Sequence, residues 1–391
     1  MNDLQRGVIS VLRSALTGKK VSLPEDFDLS LGIKIACRHK TECLFYYGAL
    51  NCGISGSDPL MQELFMLVCK NIALSEQQSY SFNKIFLLFD EQKIEYMPLK
   101  GTLLKQLYPK PEMRSMSDAD ILIKKEQYDK IKPIMSGLGY TEVTESDHEL
   151  IWNKQNIHIE LHKRLIPSYN KDYYAYYGDG WRLAAVKDGT RYSMNDEDQF
   201  IYLFTHFAKH YRDGGIGIKH LTDIYVYLKA KPDMKRQYID DELRKLQLLK
   251  FWKNIADTIG VWFDNRKEDK ISDLITDTIF SSGSYGTYRS HAVAYAFKKS
   301  KSFKTEKTAR RKQIISLIFL PYGEMSQKYP VLKKCPLLLP VMWPVRWVAA
   351  VFFKKESIRM QSDKLKITSV DNVGEYGERL KQVGLDFNFK E

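Results

Sequence analysis

Apolar residues recur at helical spacing through the first quarter of the chain. Val8, Val11, Leu12 and Ala15 fall on one helical face, and Leu60, Leu64, Leu67 and Val68 on another. Residues 79–91 close this region with Phe82, Ile85, Phe86 and Phe89 on one side. Such stripes are core, so residues 1–92 are expected to form an N-terminal helical region. The period then changes. Residues 94–99 are a short β-like run, and 101–108 read as a helix stopped by Pro109. A polar loop follows over 109–117, then a strand over 118–123. Residues 125–138 read as a helix, kinked at Pro133 and closed by Gly137 and Gly139. Residues 140–144 alternate as a strand. Residues 148–153 and 157–162 read as two more strands, joined at Lys154-Gln155-Asn156.

Strands mixed with short helices over residues 93–175 predict a small mixed-sheet core. From about Glu197 the pattern is helical again, clearest over 199–211 and 221–228, on either side of a Gly214-Gly215-x-Gly217 turn. The expected class is α+β, a small mixed β-sheet flanked by N-terminal and C-terminal helical regions. Residues 176–330 would be a helical domain forming the other wall of a cleft, and 331–391 an apolar and basic tail. Residues 298–312 are dense in Lys and Arg, with Glu306 the single acid. Residues 314–320 are apolar. Residues 335–353 are apolar and aromatic, with Trp343 and Trp347, but Pro336, Pro340, Pro344 and Arg346 argue against a simple transmembrane helix. Two readings stay open for this segment, a membrane-surface contact aided by Lys354-Lys355 and a buried cap on the helical domain.

Composition narrows the picture a little. A chain of 391 residues exceeds what one core normally serves. The net charge of +12 suits nucleic acid, phosphorylated substrates or an anionic membrane surface, and equally a plain solvated basic surface. The 5 cysteines are odd in number and form no C-x-x-C pair. That argues against a zinc site and a disulfide framework, and fits a reducing cytoplasm. The N-terminal residues lack the apolar core of a signal peptide. The expected location is cytoplasmic, with peripheral contact at the inner face of the membrane if the tail binds there.

The chemistry centres on Asp118 and Asp120. Strand period points both the same way, with Ala119 and Ile121 packing behind. At about 4 Å and an effective dielectric of about 20, two such carboxylates repel by roughly 4 kcal/mol. A divalent cation would offset that; a solvated strand end is the plainer alternative. Glu160 lies in Ile157-His158-Ile159-Glu160-Leu161-His162, where His158, Glu160 and His162 share one face. If the two strands are neighbours, three acids surround one site, able to hold one or two Mg²⁺ or Mn²⁺ ions on a phosphoryl group. Lys100-Gly101-Thr102 stands at a strand-to-helix junction, where backbone N–H groups favour anions. Lys100 and Arg114 would add positive charge there.

Met97-Pro98-Leu99-Lys100-Gly101-Thr102, the Tyr108-Pro109 stop, Arg114, Asp118-Ala119-Asp120 and Ile159-Glu160-Leu161-His162 together carry a resemblance. In that order they resemble the bacterial uncharacterised nucleotidyltransferase family, within the DNA polymerase β-like nucleotidyltransferase superfamily. His206-Phe207-Ala208-Lys209-His210 and Thr222-Asp223-Ile224 are family-like as well, and the likeness runs over about residues 30–340. It implies Asp118, Asp120 and Glu160 as catalytic metal ligands, with Gly101 in the nucleotide-phosphate turn. It also implies transfer of a nucleoside monophosphate from an NTP, such as ATP, to an acceptor hydroxyl or phosphate. The superfamily's usual turn is Gly-Ser or Gly-Gly, closer to the acids than Gly101-Thr102 stands here.

His206 and His210 share a helix face with Lys209 nearby. They are open to three readings: contacts to nucleotide or acceptor phosphates, a polar cluster with Asp223, or a zinc site lacking a third ligand. One of His158 and His162 would orient Glu160, the other lying on the strand surface. The family's association with surface-polysaccharide genes points to a polysaccharide or lipid-linked acceptor. RNA is a further acceptor, although no RNA-reading motif is visible, and a protein side chain is another. The rival reading from another class is a non-catalytic or regulatory protein that keeps the fold and binds nucleotide or RNA.

Overall fold

The computed structural model describes residues 1–301, 319–320, 322–353 and 367–385. Most of the basic run over 298–312, most of the apolar run over 314–320, and Lys354-Lys355 lie outside the described residues. The chain divides into two compact units, one of residues 1–211, 215–286 and 383–391, the other of 212–214 and 287–382.

The first unit opens with four helices, α1 (Asp3–Thr17), α2 (Leu29–Arg38), α3 (Glu42–Asn51) and α4 (Pro59–Glu91). Asn2 and Gln5 form a reciprocal capping box at the start of α1. Asp58 caps α4, and Pro59 occupies its first turn, where a missing N–H costs nothing. Helices α1 and α3 approach so closely that a Cβ on Gly48 would fall 2.0 Å from the Val11 carbonyl oxygen.

Strand β1 (Tyr96–Pro98) follows, then α5 (Gly101–Leu104), β2 (Ala119–Ile123) and α6 (Tyr128–Gly137). Next come β3 (Thr141–Glu145), β4 (Glu149–Lys154) and β5 (Ile157–His162), then α7 (Lys171–Tyr177), β6 (Ala185–Asp188) and β7 (Arg191–Ser193). The helix expected over 101–108 is one α-helical turn, continued as 3₁₀ over Lys105–Leu107. The sheet order is β3-β4-β5-β2-β1-β7-β6. Strands β2 and β5 pair in parallel, as do β1 and β7, and the other pairs are antiparallel. The sheet is therefore mixed, and the fold is α+β with helical flanks.

The sheet has one apolar face. Phe82, Ile85 and Phe89 of α4, with Ile131 and Met135 of α6, bury Ala119, Ile121, Ile123, Trp152, Ile159 and Leu161. By strand alternation the opposite face of β2 and β5 carries Asp120, Glu160 and His162. Burial on one side thus fixes which way the acids point. A one-residue slip would put them into that core, so the register is strongly specified.

Helices α8 (Asp196–Arg212), α9 (Ile218–Ala230), α10 (Arg236–Lys245), α11 (Leu249–Phe263) and α12 (Lys270–Ser282) complete this helical flank. An aromatic core of Phe200, Phe204, Phe207, Phe251 and Trp252 joins α8 to α11. In the second unit, Phe297 meets Tyr376 edge-on at 5.8 Å. There Trp343 and Trp347 both pack on Phe319. Leu337, Val341 and Val345 on and before the helix Leu339–Phe353 are exposed. Among the described residues, no helix is long and apolar enough to cross a membrane.

Candidate active site

In the parallel β2–β5 pair, Asp120 stands opposite Glu160 and Leu122 opposite His162. Backbone register alone brings the two acids side by side. Asp120 is 5 % exposed; its Oδ1 accepts from Lys100 Nζ at 2.9 Å and lies 2.7 Å from His162 Nε2. Burial opposes charge on Asp120, but the Lys100 ammonium and His162 outweigh it and hold the carboxyl well below its usual range. Burial likewise opposes charge on Lys100, and Asp120 reverses the balance, keeping the ammonium firmly protonated.

Glu160 behaves in the opposite sense. Burial, then the negative charges of Asp120, Asp118 and Glu149, push its carboxyl up to about 8. His158 Nε2 lies 3.2 Å from its Oε1 and His162 Nε2 3.6 Å from its Oε2. Both strand histidines therefore touch Glu160, and His162 is buried rather than on the strand surface.

The Lys100-Gly101 turn faces these acids. Lys100 sits at φ 41°, in the left-handed region, a conformation costing on the order of 1–3 kcal/mol for a side-chain-bearing residue. Gly101 needs its missing Cβ, which would fall 2.5 Å from Arg114 Nη1 and 2.9 Å from Met116 Sδ. Thr102 turns away: its hydroxyl donates to the Leu99 carbonyl at 2.7 Å and closes the turn. Arg114 is engaged already. Its Nε and Nη2 donate to the two Asp223 oxygens at 3.2 and 3.0 Å, and the Tyr108 hydroxyl donates to Asp223 at 2.7 Å.

A cleft of about 310 Å³ holds this chemistry, within the size range of small-ligand sites. It is lined by Lys100, Gly101, Arg114, Asp118, Asp120, Glu160, His206, Lys209 and His210. Of the candidate site side chains singled out in the sequence, Thr102 and His158 lie outside that lining. The Nε2 atoms of His206 and His210 are 3.0 Å apart. Burial, then Lys100, His210 and Lys209, keep His206 neutral far below its usual titration range. Among the described residues, groups of three metal-ligating side chains occur at Asp120–Glu160–His162 and His148–Glu149–His162, and none includes His206 or His210.

The ligand atoms of Asp120, Glu160 and His162 all lie within 4.8 Å of one another. Asp118 lines the same cleft and its charge reaches Glu160, but it is not part of that converging trio. The donor set fits a divalent ion. Two crowded carboxylates, one forced to keep its proton near neutrality, gain most from a cation, and a neighbouring imidazole suits Mn²⁺ as well as the oxygen donors suit Mg²⁺.

Several cleft residues carried no sequence signal strong enough to find them. Tyr285 reaches the cleft from the end of α12, and Tyr169 from the loop before α7. His148 and Glu149 were legible in principle. Counting back from the two-residue turn Gln155-Asn156 sets Glu149 opposite His162, which is the observed register.

The profile of a family described as uncharacterised nucleotidyltransferase matches residues 25–264. That span holds all the cleft residues named above except Tyr285. A search of curated proteins finds no match. Among solved structures, the chain is similar to a solution structure of the antibiotic-resistance factor ANT(2'')-Ia. The similarity is at 15% identity and a TM-score of 0.31, covering 47% of this chain and 95% of that one.

Proposed function

The chain belongs to the uncharacterised nucleotidyltransferase family, and from that membership we propose a divalent-metal-dependent transfer of a nucleoside monophosphate from an NTP to an acceptor hydroxyl or phosphate. The observation that carries this reading is the pairing of Asp120 with Glu160 across parallel strands, in one cleft with the Lys100-Gly101 turn. The order of these parts along the chain favours the DNA polymerase β-like superfamily.

Asp118, Asp120 and Glu160 are the proposed metal ligands, with His162 beside them. The bound ion would supply charge neutralisation at the phosphate and activation of the attacking oxygen. The chain's own residues do the rest. Gly101 leaves its backbone bare for a phosphate to approach. Lys100 is poised to move its ammonium from Asp120 to a phosphate oxygen. Arg114, fixed by Asp223 and Tyr108, holds the wall behind the turn. His206, Lys209 and His210 on α8 face the acids and are placed to meet nucleotide or acceptor phosphates. Beside the ion, the ionised Glu160 is the proposed base for the acceptor hydroxyl.

The test is direct. Incubated with each labelled NTP and Mg²⁺ or Mn²⁺, the wild-type protein is expected to release pyrophosphate in the presence of an acceptor. A protein that binds NTP with the same acceptors but never releases pyrophosphate is a binding module, and the catalytic reading is then wrong. A polysaccharide or lipid-linked intermediate is the acceptor class to try first.

The reading also places the protein peripherally at the inner membrane face, through its C-terminal tail. The support is the exposure of Leu337, Val341 and Val345 beside Trp347. At about 2 kcal/mol for each apolar side chain buried, Leu337→Glu with Val341→Glu should lower flotation with anionic vesicles by well over tenfold. Equal flotation of the double variant and the wild type would remove the membrane contact.

A further inference from the structure

In the cluster His148–Glu149–His162, His148 and Glu149 have no part in the reaction proposed above, and His162 reaches its carboxylates through Nε2. Glu149 and His162 are directly opposed in the antiparallel β4–β5 pair. His148 precedes β4 in a bend, which frees its ring to face the same side. Its Nε2 is 3.7 Å from Glu149 Oε2, and its ring centroid is 5.1 Å from that of His162. One ligand atom from each of the three side chains lies within 4.8 Å of the others.

The two nitrogens of His162 face different partners. Nε2 lies 2.7 Å from Asp120 Oδ1, a hydrogen-bond distance. Nδ1 is buried, has no hydrogen-bond partner, and points toward Glu149 Oε2 at 3.5 Å. His162 itself is only 4 % exposed. His148 Nδ1 is likewise buried without a partner. If Nε2 carries the proton given to Asp120, Nδ1 is left as a bare lone pair facing a carboxylate. Two acceptors turned toward each other inside a protein are unfavourable, and a cation between them removes the conflict.

The geometry points to a second cation site, built from His148, Glu149 and His162 Nδ1, that takes a transition-metal ion such as Zn²⁺. Two imidazoles and one carboxylate form a borderline-soft ligand set that favours Zn²⁺ or Co²⁺ over Mg²⁺. Asp120 then stands behind His162 as the carboxylate that fixes its tautomer, an arrangement common behind metal-bound histidines. The site thereby links a resident ion to the orientation of Asp120, while leaving the carboxylates of the reaction on the other nitrogen's side.

Zn²⁺ has no visible spectrum, so Co²⁺ is the probe. Metal-free full-length protein titrated with Co²⁺ is expected to develop the d–d bands of a nitrogen- and oxygen-ligated ion at one equivalent. Millimolar Mg²⁺ should not remove them. Asp118→Asn, which alters only the proposed reaction site, should keep the bands. His148→Ala and Glu149→Gln, each checked for native circular dichroism, should weaken Co²⁺ binding by at least the roughly 10–100-fold that losing even a supporting partner costs. Undiminished Co²⁺ binding in both variants overturns the proposal. So does loss of the bands in Asp118→Asn alone, which would place the ion among the reaction's carboxylates. Pyrophosphate release measured on the same samples keeps the two readings separate, since the cobalt spectrum does not depend on turnover.

Discussion

Glu160→Gln and Asp120→Asn are expected to abolish activity equally and to move stability in opposite directions. Each removes a proposed metal ligand, and each should lower the rate of pyrophosphate release by about 10³-fold or more. Their structural situations differ. Asp120 is a buried carboxylate held ionised by Lys100 and His162. Asparagine in its place leaves the Lys100 ammonium without its counter-charge, a loss on the scale of 3–5 kcal/mol. Glu160 is the reverse case, since burial and its acidic neighbours raise its carboxyl to about 8. The unfolded chain gives up that proton near the ordinary carboxylate value, so the folded state binds one more proton between about 4.5 and 8. The metal-free wild type therefore loses stability as pH rises through that window, by at most about 5 kcal/mol and less after solvent screening. Glu160→Gln should flatten this slope and exceed the wild type at pH 8. Urea denaturation of metal-free protein from pH 5 to 8.5 measures it. A wild-type stability that rises with pH across the window, with Glu160→Gln no better than Asp120→Asn, would contradict this account of the site. Added Mn²⁺ should stabilise the wild type more at pH 8 than at pH 5, because the ion must displace the Glu160 proton.

Breaking the Arg114–Asp223 pair is the second large effect expected. Both partners are under a tenth exposed, and the Tyr108 hydroxyl completes the arrangement. Asp223→Asn strands a buried guanidinium and should cost about 3–5 kcal/mol. Arg114→Met should cost somewhat less, because Tyr108 still donates to Asp223. Changing both, Arg114→Met with Asp223→Leu, should recover much of the loss, since the uncompensated charge then disappears. The double-mutant cycle reads this as a coupling of several kcal/mol; additive losses would show that the pair is not energetically linked. Activity separates structure from chemistry here. The Met/Leu double variant, though folded, should stay slow, because Arg114 also packs into the space where Gly101 lacks a Cβ and so supports the turn.

The acids were legible in the sequence for a clear reason. A buried strand writes its period into its residues, so Asp120 and Glu160 stood out against Ala119, Ile121, Ile159 and Leu161. Their adjacency was not legible, because a parallel pairing depends on what lies between the strands. The resemblance to a family supplied that expectation. Strands β6 and β7 carry no signal because they are short, β6 exposed and β7 only half-buried, with no apolar alternation to betray them. Position puts Thr102 in the phosphate turn, but a hydroxyl in the first turn of a helix finds a nearer carbonyl at Leu99. Arg114 was expected as a positive charge for phosphate; its buried partner Asp223, more than a hundred residues later, could not be paired with it from sequence. The helical flank was read as helical, yet Tyr285 reaches the cleft only through the packing of α12, which no local pattern records.

The strand order has a consequence for how the proposed site is assembled. Strands β4 and β5 close through a two-residue turn and can pair as soon as both have been made. Strand β2 must find β5 across a separation of 42 residues between Asp120 and His162. That search carries a larger loop-closure entropy and slows assembly. The local hairpin carries Glu149, Glu160 and His162 but lacks both aspartates. A chain caught at that stage has these three side chains in place but not Asp120, so the site proposed above is incomplete. Recovery of the proposed pyrophosphate release on refolding is therefore expected to time the docking of β2, while recovery of strand signal does not.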